Sequence, residues 1–421
     1  MIGVSQDVRA LDLFAGTGWG VALKARGIRE GGVEIMPEAR ASRAAAGMET
    51  IYHDVWDGLL SDDPIVFQHA LQIASPPCQS FSLAGKGAGR AALDDVLRAI
   101  DDGAYREPAR LRALGAETDD RTALVLTPLA HVHRDRPTYV TWEQVPPVLP
   151  VWEACAAVMR DMGYSVWVGI LRSEQYGVPQ TRRRAVLIAR ADGVDAAPPA
   201  PTHSRYYERD PQRLDPGVSP WVSMADALGF GGFELVGNQV PRGRERGDYH
   251  SRPSSYPAQT LTGAGLRSWI LRSNYSSGSS AAEPPRGNKL PRTERALTEP
   301  AMTLTSKAGS MKWVYRNGNQ ARSARRGVNL PAPTVMFGHN SNKVEWVPEA
   351  HADDPRSSGV RVTAEQAAAL QSFPSGFPFA GSRSKIFLQI GNAVPPLMGG
   401  AIIDEILNPA AQREVLMERA A

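Results

Sequence analysis

Short apolar runs alternate with amphipathic stretches over the first 190 residues of the chain. The runs RALDLFAG, GVEIM, TIYHDV, LQIAS, TYVTWEQV, YSVWVGILR and AVLIAR are typical of β-strands, several of them apolar enough to be covered on both faces. Between several of these runs lie amphipathic stretches typical of helices, at residues 19–29, 37–47, 122–136 and 150–163. The alternation predicts an α/β fold with a doubly wound, mostly parallel sheet, whose ligands bind at the carboxyl ends of the strands.

A proline-rich connector that begins after Arg190 marks a change of pattern. Beyond it, a Pro-Ala-x-Thr sequence, a small or polar turn and a Trp followed by Ile or Val occur three times, starting at Tyr256, Glu299 and Leu330. The repeat predicts a small β-rich domain of strand-turn-strand units, although β-hairpins can share such a pattern by chance. Helical patterns return after Pro348, so we predict three parts: residues 1–200, 201–352 and 353–421, the last returning to complete the first.

Basic and acidic residues are unevenly distributed along the chain, although its net charge is only +3. Residues 233–346 contain 17 Lys and Arg against 7 Asp and Glu, a net +10, so the rest of the chain carries −7. A basic insert in a mildly acidic body predicts a surface that binds a polyanion, because Lys and Arg make most phosphate contacts. The alternative is a basic region that is simply solvated.

Composition narrows the class of protein. A hydrophobic fraction of 42% with 22% charged residues is that of an ordinary globular protein. Neither an uninterrupted apolar run of membrane-spanning length nor a signal-peptide pattern is found, so we expect a cytoplasmic protein without a membrane anchor. With two cysteines and no Cys/His cluster at ligand spacing, we expect neither a disulfide framework nor a bound metal.

One of the two cysteines lies in an unusual place. Cys78 is in SPPCQSFS, where an apolar run breaks into a proline-framed turn at the end of the fourth predicted strand. A rigid turn fixes the direction of a thiol, and a thiolate is a strong nucleophile. Taken alone, an inert buried cysteine is the more common explanation.

Other candidate groups follow neighbouring predicted strands. LDLFAGTGWG is a strand, a glycine turn and a helix, the arrangement that brings a nucleotide-like cofactor close to the backbone. Glu34 and Asp54 end the next two strands, as a possible ribose and a possible adenine partner, though each could be a capping residue. Glu143 ends a further strand, as a candidate general acid. In QTRRR, alternation would direct Arg182 and Arg184 to one side, although such runs are more often surface charge.

Taken in order, these motifs resemble the DNA cytosine-5 methyltransferases. DLFAGTGWG is similar to the family's first cofactor motif, SPPCQSFS to its nucleophile motif and WEQV to its Glu-Asn-Val motif. QYGVPQTRRR resembles the Gln-x-Arg-x-Arg motif, RVTAEQAAALQSFPSGF the segment after the recognition domain, and IGNAVPP the closing motif. The resemblance covers about residues 9–190 and 356–407, and the basic insert falls where the family has its target recognition domain.

The resemblance implies S-adenosylmethionine as the cofactor and assigns roles to single residues. The implied catalytic residues are the nucleophile Cys78, the acid Glu143, and Arg182 and Arg184, with Arg184 against the flipped base. The implied cofactor pocket contains Asp12, Phe14, Ala15, Gly16, Gly18, Glu34, Asp54, Pro77, Asn392 and Val394. The chain departs from the pattern at Trp19, where a second glycine is usual, and at Gln144, where Asn is usual. Residues 85–121 are also longer than the usual mobile flap.

The implied activity is methyl transfer to C5 of a flipped cytosine within a specific duplex DNA sequence, through a covalent Cys78 adduct. We expect a monomer that acts on duplex DNA, with a restriction endonuclease as a possible partner in the same system. Two alternatives stay open: a catalytically decayed methyltransferase-like DNA-binding protein, and an RNA cytosine-5 methyltransferase.

Overall fold

The computed structural model describes residues 8–77, 88–117, 123–207, 209–210, 212–229 and 363–409, and the backbone of several strands between residues 233 and 348. Cys78 and the other residues of 78–87 lie outside the described residues. So do RGRER (242–246) and most of RSARR (322–326), the two basic runs of the insert that we predict to contact the phosphate backbone.

The α/β part of the chain is built on a seven-stranded sheet with the order β3-β2-β1-β4-β5-β8-β6. β1 to β5 pair in parallel, and β8 is antiparallel to β5 and to β6. The predicted doubly wound, mostly parallel sheet is therefore confirmed. Its strands are β1 (Arg9–Leu13), β2 (Arg29–Val33), β3 (Glu49–Tyr52), β4 (Leu71–Ala74), β5 (Tyr139–Gln144), β6 (Ser165–Arg172) and β8 (Arg183–Arg190), with a short β7 (Gln180–Thr181) before β8.

Helices connect these strands and cover both faces of the sheet, as the apolar strands require. One hydrophobic cluster contains Leu11, Leu13 and Trp142, while Ala10, Ile73 and Ile188 belong to another. Neighbouring residues of β1 therefore face opposite layers, as expected for a strand. The connecting helices are α1 (Gly18–Lys24), α2 (Pro37–Ala45), α3 (Val55–Leu59), α4 (Pro64–Phe67), α5 (Ala88–Asp101), α6 (Pro108–Glu117), α7 (Thr127–Asp135) and α8 (Leu149–Asp161).

The long segment after the nucleophile motif is largely helical. α5 begins at Ala88, within the segment whose length exceeds that of the usual flap. Val96, Ala99 and Ile100 are buried in the same cluster as Leu11 and Leu13. Their spacing of three and four residues places them on one face of α5, which therefore packs into the core.

The basic insert forms a second sheet. Its six strands have the path β10-β9-β12-β13-β15, with β14 paired to β9. The three predicted repeats end in β12, β13 and β15, which pair with one another. The β-rich domain stays a prediction, and the strands described in this part of the chain form one sheet. The strands are β9 (Phe233–Val236), β10 (Ser251–Pro253), β12 (Ile270–Ser273), β13 (Trp313–Asn317), β14 (Arg326–Gly327) and β15 (Val344–Pro348); β11 (Ala258–Gln259) pairs with β7.

A short α9 (Met224–Leu228) precedes the insert, and after it the chain returns to the α/β body through α10 (Ala364–Leu370), α11 (Arg383–Asn392) and α12 (Pro396–Leu407). α12 packs against α1, and Arg26 binds Asp404 with an Nε–Oδ1 distance of 2.6 Å. Among the described residues one helical stretch, Arg383–Leu407, is long and apolar enough to cross a membrane, but 72% of its apolar window is buried inside the protein. Such burial is typical of core helices.

A buried histidine makes the stability of this fold pH-dependent. His69 is 5% exposed, its Nδ1 contacts the Val66 carbonyl oxygen, and burial lowers its pKa to about 4 from 6.5. The unfolded chain therefore binds a proton between these values that the folded chain does not, so this contribution is present above pH 6.5 and is lost as the pH falls toward 4.

We expect urea unfolding at pH 7 and pH 5 to show a larger loss of stability in the wild type than in His69→Gln. The expected difference is about 2 kcal/mol, from roughly 1.5 pH units of unmatched protonation. Equal losses in the two proteins would contradict a neutral, buried His69.

Candidate active site

The carboxyl ends of β1, β4 and β5 form one continuous edge. Leu13, Ala74 and Trp142 are neighbours in register across the three strands, and the Ser75 N–H donates to the Leu13 carbonyl oxygen at 3.2 Å. The chain runs from β1 to β2 and β3 on one side and to β4 and β5 on the other. The edge is therefore the topological switch point at which sheets of this class bind ligands.

The glycine turn after β1 has an unusual backbone. Phe14 and Gly16 have φ angles of 59° and 48°, and such a conformation at a non-glycine residue is strained and concentrates at functional sites. Glu34 stabilises the turn: one carboxylate oxygen accepts from Gly16 N–H at 2.8 Å and the other from Met36 N–H at 2.7 Å. Each oxygen keeps a lone pair for a further donor.

A buried arginine that the sequence pattern did not indicate lies beneath this turn. Arg43, from α2, is fully buried, and it donates to the Gly16 carbonyl oxygen at 3.2 Å and to Glu30 at 2.7 Å. The Asp12 carboxyl group is also fully buried, and no described residue donates a hydrogen bond to it within normal geometry. Burial, and then the nearby Glu30 carboxylate, raise the pKa of Asp12 well above its usual value.

The C-terminal motif reaches this turn by direct backbone contact. A Cβ atom on Gly18 would lie 2.1 Å from the Val394 carbonyl oxygen, so only glycine permits this approach. Arg182 is 1% exposed and donates to the Gly391 carbonyl oxygen at 3.0 Å, while Asn392 is exposed at the end of α11. Gly18 and Val394 are therefore in contact, although they are separated by more than 370 positions.

The two candidate catalytic charges are paired and buried. Glu143 Oε1 lies 2.5 Å from Arg184 Nε, with 4% and 6% of the two side chains exposed. Arg182 and Arg184 are buried and Arg183 is exposed, so the predicted alternation is confirmed. Burial, and then the charge of Arg184, lower the pKa of Arg182 well below its usual value. A desolvated carboxyl and guanidinium pair is suited to a polar ligand with both a donor and an acceptor.

Both residues that depart from the family pattern contact the turn before Cys78. The Gln144 side-chain amide donates to the Pro76 carbonyl oxygen, and the Trp19 indole N–H donates to Ser75 Oγ at 3.0 Å. Pro77 is half-buried on this turn, and Cys78, the next residue, lies outside the described residues. Gln144, where the family pattern has Asn, therefore makes a polar contact from β5 to the nucleophile motif.

The surroundings of Asp54 and Cys155 bear on the roles considered for each. Asp54 caps α3, accepting from the Trp56 N–H at 3.0 Å, so the capping role considered for it is present; a cofactor role stays a prediction. Cys155 is fully buried in α8, and burial raises the pKa of its thiol. A buried thiol of raised pKa is inert, which leaves Cys78 as the candidate nucleophile.

A buried amide network joins three of the motifs. The Gln180 side chain donates to the side-chain oxygen of Gln371, whose own amide nitrogen donates to the carbonyl oxygens of Ile390 and Ala393 at 3.0 and 2.9 Å. Gln180 and Gln371 are both fully buried. The first residue of the Gln-x-Arg-x-Arg motif is thereby fixed to the closing motif. Across the residues that the structure describes, no group of three or more His, Cys, Asp or Glu could hold a metal ion.

Comparison with known proteins finds type II methyltransferases that are similar to this chain in sequence. The chain is 25% identical to the type II methyltransferase M.AgeI of Thalassovita gelatinovora, covering 69% of this chain and 78% of that protein. It is also 25% identical to the type II methyltransferase M1.HphI of Haemophilus parahaemolyticus, covering 80% and 67%. The crystal structure of the S. pombe Dnmt2 methyltransferase aligns with a TM-score of 0.47 at 15% identity, covering 96% of this chain and 99% of that one.

The model of the family C-5 cytosine-specific DNA methylase matches residues 112–408, more than half of the chain. This range includes Glu143, both buried arginines, the basic insert and the closing motif. The chain therefore belongs to the C-5 cytosine-specific DNA methylases, enzymes that transfer a methyl group to C5 of cytosine in DNA.

Proposed function

We propose that the enzyme methylates C5 of a cytosine that it flips out of a specific duplex DNA sequence, through a covalent Cys78 adduct. The buried Glu143–Arg184 pair is the observation that carries the proposal. Glu143 lies on β5, beside the turn leading to Cys78, and Arg184 lies on the neighbouring β8. The two groups would suit the N3 and O2 atoms of a cytosine ring. The target base is inaccessible inside a duplex stack, so it must leave the helix to reach these groups.

The residues around the glycine turn fit S-adenosylmethionine. The Glu34 carboxylate is fixed by two backbone amides and keeps acceptor capacity for a ribose diol. Ile35, the next residue, is 69% exposed and offers an apolar surface to an adenine ring. Gly16, Gly18, Phe14 and Ala15 would surround the methionine portion. Asp12, Asp54, Pro77, Asn392 and Val394 complete the proposed pocket.

Cytosine C5 is a poor nucleophile, and S-adenosylmethionine supplies an electrophilic methyl group. Attack of the Cys78 thiolate on C6 would convert the ring to an enamine that reacts at C5. As the base enters, its N3 would replace Arg184 as the partner of the Glu143 carboxyl group and accept a proton from that group. Arg184 would then contact O2 of the base. C5 would then take the methyl group, with S-adenosylhomocysteine as the leaving group. A base would remove the C5 proton, Cys78 would leave C6 as the thiolate, and N3 would return its proton to Glu143, which releases 5-methylcytosine.

The basic insert would be the target recognition domain. Its excess of ten positive charges suits a phosphate backbone, and its loops would carry the residues that read base edges. We further propose that residues 1–200 and 353–421 form the catalytic domain and residues 201–352 the recognition domain. The enzyme would act as a cytoplasmic monomer, with a restriction endonuclease as the partner of the same target sequence.

Replacing Gly18 by alanine is expected to weaken cofactor binding. The new Cβ would overlap the Val394 carbonyl oxygen, and overpacking of this kind costs about 1–3 kcal/mol. Isothermal titration should show the Kd for S-adenosylmethionine rising about 10- to 100-fold. The control is Gly163→Ala after α8, where φ is 92° and no described atom lies within 4 Å. It should cost stability without changing the Kd; an unchanged Kd in Gly18→Ala would argue against a pocket closed by Val394.

Radiolabelled methyl transfer to competing nucleic acids tests the proposed substrate. Plasmid DNA lacking 5-methylcytosine, the same DNA after denaturation and total tRNA would be offered with labelled S-adenosylmethionine. We expect incorporation into the duplex alone, as alkali-stable label in 5-methylcytosine. Preferred labelling of tRNA would favour an RNA methyltransferase. Cofactor binding without transfer to any substrate would indicate a decayed, DNA-binding relative.

A further inference from the structure

Trp19 is buried, and it stands where the family's first cofactor motif usually has a second glycine. The structure shows which groups its side chain contacts. It lies in the first turn of α1, directly after Gly18, and is 1% exposed. Its only polar atom donates to Ser75 Oγ at 3.0 Å. The indole therefore joins the helix that follows the glycine turn to the turn that precedes Cys78.

α12, which packs against α1, accommodates this large side chain. A Cβ atom on Gly399 of α12 would lie 3.0 Å from Cε3 of Trp19 and 3.2 Å from Cζ3. The absence of a side chain at Gly399 lets the ring pack closely against α12, among Val186, Ile402 and other members of one buried cluster. A ring packed on this side has little rotational freedom, so its N–H direction is defined.

The turn that receives this hydrogen bond is also fixed from its other side. The Gln144 side chain donates to the Pro76 carbonyl oxygen and accepts from the Val145 N–H, and the Ser75 N–H donates to Leu13. Trp19, from α1, and Gln144, from β5, therefore bind consecutive residues, Ser75 and Pro76. Three hydrogen bonds and two prolines therefore leave the turn from Ser75 to Pro77 few conformations.

We propose that Trp19 is a positioning residue for the nucleophile: its hydrogen bond to Ser75 holds the turn that presents Cys78 to cytosine C6. The proposal rests on the proposed function of Cys78. It assigns to Trp19 an effect on formation of the covalent adduct and not on the affinity for cofactor or DNA. Because Trp19 follows Gly18, it also ties the geometry of the cofactor turn to that of the nucleophile.

The test is a double-mutant cycle between Trp19→Phe and Ser75→Ala. The measured rate is that of the covalent adduct with a duplex carrying 5-fluorocytosine at the mapped target, together with kcat and both KM values. Loss of one hydrogen bond should slow adduct formation about 3- to 10-fold in each variant. The double variant should be no slower than the slower single variant, and the KM values should stay within twofold of the wild type.

A matched control is Trp152→Phe. Trp152 is fully buried in α8, and its indole nitrogen has no hydrogen-bond partner among the described residues, so the change disturbs packing without removing a bond. It should leave the rate of adduct formation unchanged. Ser75→Ala keeps the test valid if Trp19→Phe does not fold, because it removes the same bond from a half-buried residue.

Additive losses in the cycle, or wild-type adduct rates in both single variants, would overturn the positioning role. A rise in the cofactor KM that accounts for the whole loss would do the same and assign Trp19 to the pocket. An inactive wild type would instead reject the proposed function, so the two failures are distinguishable.

Discussion

Replacing Cys78 by alanine is expected to remove both methyl transfer and the covalent adduct with 5-fluorocytosine DNA. Without the thiolate, C5 is not activated, and the loss should exceed about 10⁴-fold, as for other covalent nucleophiles. Cofactor and DNA binding should persist, because the glycine turn and the basic insert are untouched. Labelled methyl transfer and adduct formation on denaturing gels measure the two losses.

The control for this variant is the second cysteine. Cys155 is fully buried in α8, within the core that also contains Trp152. Cys155→Ala should lower the free energy of unfolding and leave adduct formation intact. Equal activity of Cys78→Ala and the wild type, or loss of the adduct in Cys155→Ala alone, would contradict the assignment of the nucleophile.

Replacing Glu143 by glutamine is expected to lower kcat by about 10²- to 10⁴-fold, the range for a lost general acid. The amide keeps the shape of the side chain but cannot transfer a proton to N3. It also leaves Arg184 without its charge partner at 2.5 Å in a site where both side chains are almost fully buried. Breaking such a pair also destabilises the fold, because it leaves a buried charge uncompensated.

Single-turnover rates at saturating DNA and cofactor, on protein shown to be folded by circular dichroism, separate the chemical loss from the loss of stability. The matched control is Glu153→Gln, on the exposed face of α8, which should retain the wild-type rate. A single-turnover rate within a few-fold of the wild type in Glu143→Gln would exclude Glu143 as the acid.

The regular parts of the fold could be predicted from the sequence because they follow simple periodicities. The parallel sheet follows from apolar runs, and the burial of Arg182 and Arg184 on either side of an exposed Arg183 follows from strand alternation. Boundaries were less accurate: the second strand was placed at GVEIM, whereas it spans Arg29–Val33. Gly31 and Gly32 lie inside this strand, and glycine is depleted in strands.

The helical segment after Cys78 was not predicted, for a different reason. Its glycine-rich start suggested a loop, but Val96, Ala99 and Ile100 form an apolar face at helical spacing that packs into the core. The signal was present in the sequence, within AALDDVLRAI. The glycine-rich start of the segment indicated a loop, and this indication was given more weight than the apolar spacing that indicates a helix.

Several residues of the site carried no usable signal. Arg43 and Gln371 are types usually found on the surface, and only partners distant in sequence explain their burial. Arg43 is buried by Glu30 and the Gly16 carbonyl oxygen; Gln371 is buried by Gln180 and the closing motif. Asp54 shows the converse, since its position after a strand suited a ligand while its described contact is a helix cap. The fold can be predicted from local patterns, whereas such contacts require the tertiary structure.

Bisulfite sequencing of DNA from cells that express the enzyme tests the central claim most directly. Cells lacking other cytosine methylation would carry the wild type or Cys78→Ala at equal protein levels. We expect near-complete protection of one cytosine within a single short sequence in the wild-type cells, and none above background in the variant. Absence of 5-methylcytosine from the wild-type cells, or the same pattern in cells carrying Cys78→Ala, would contradict it.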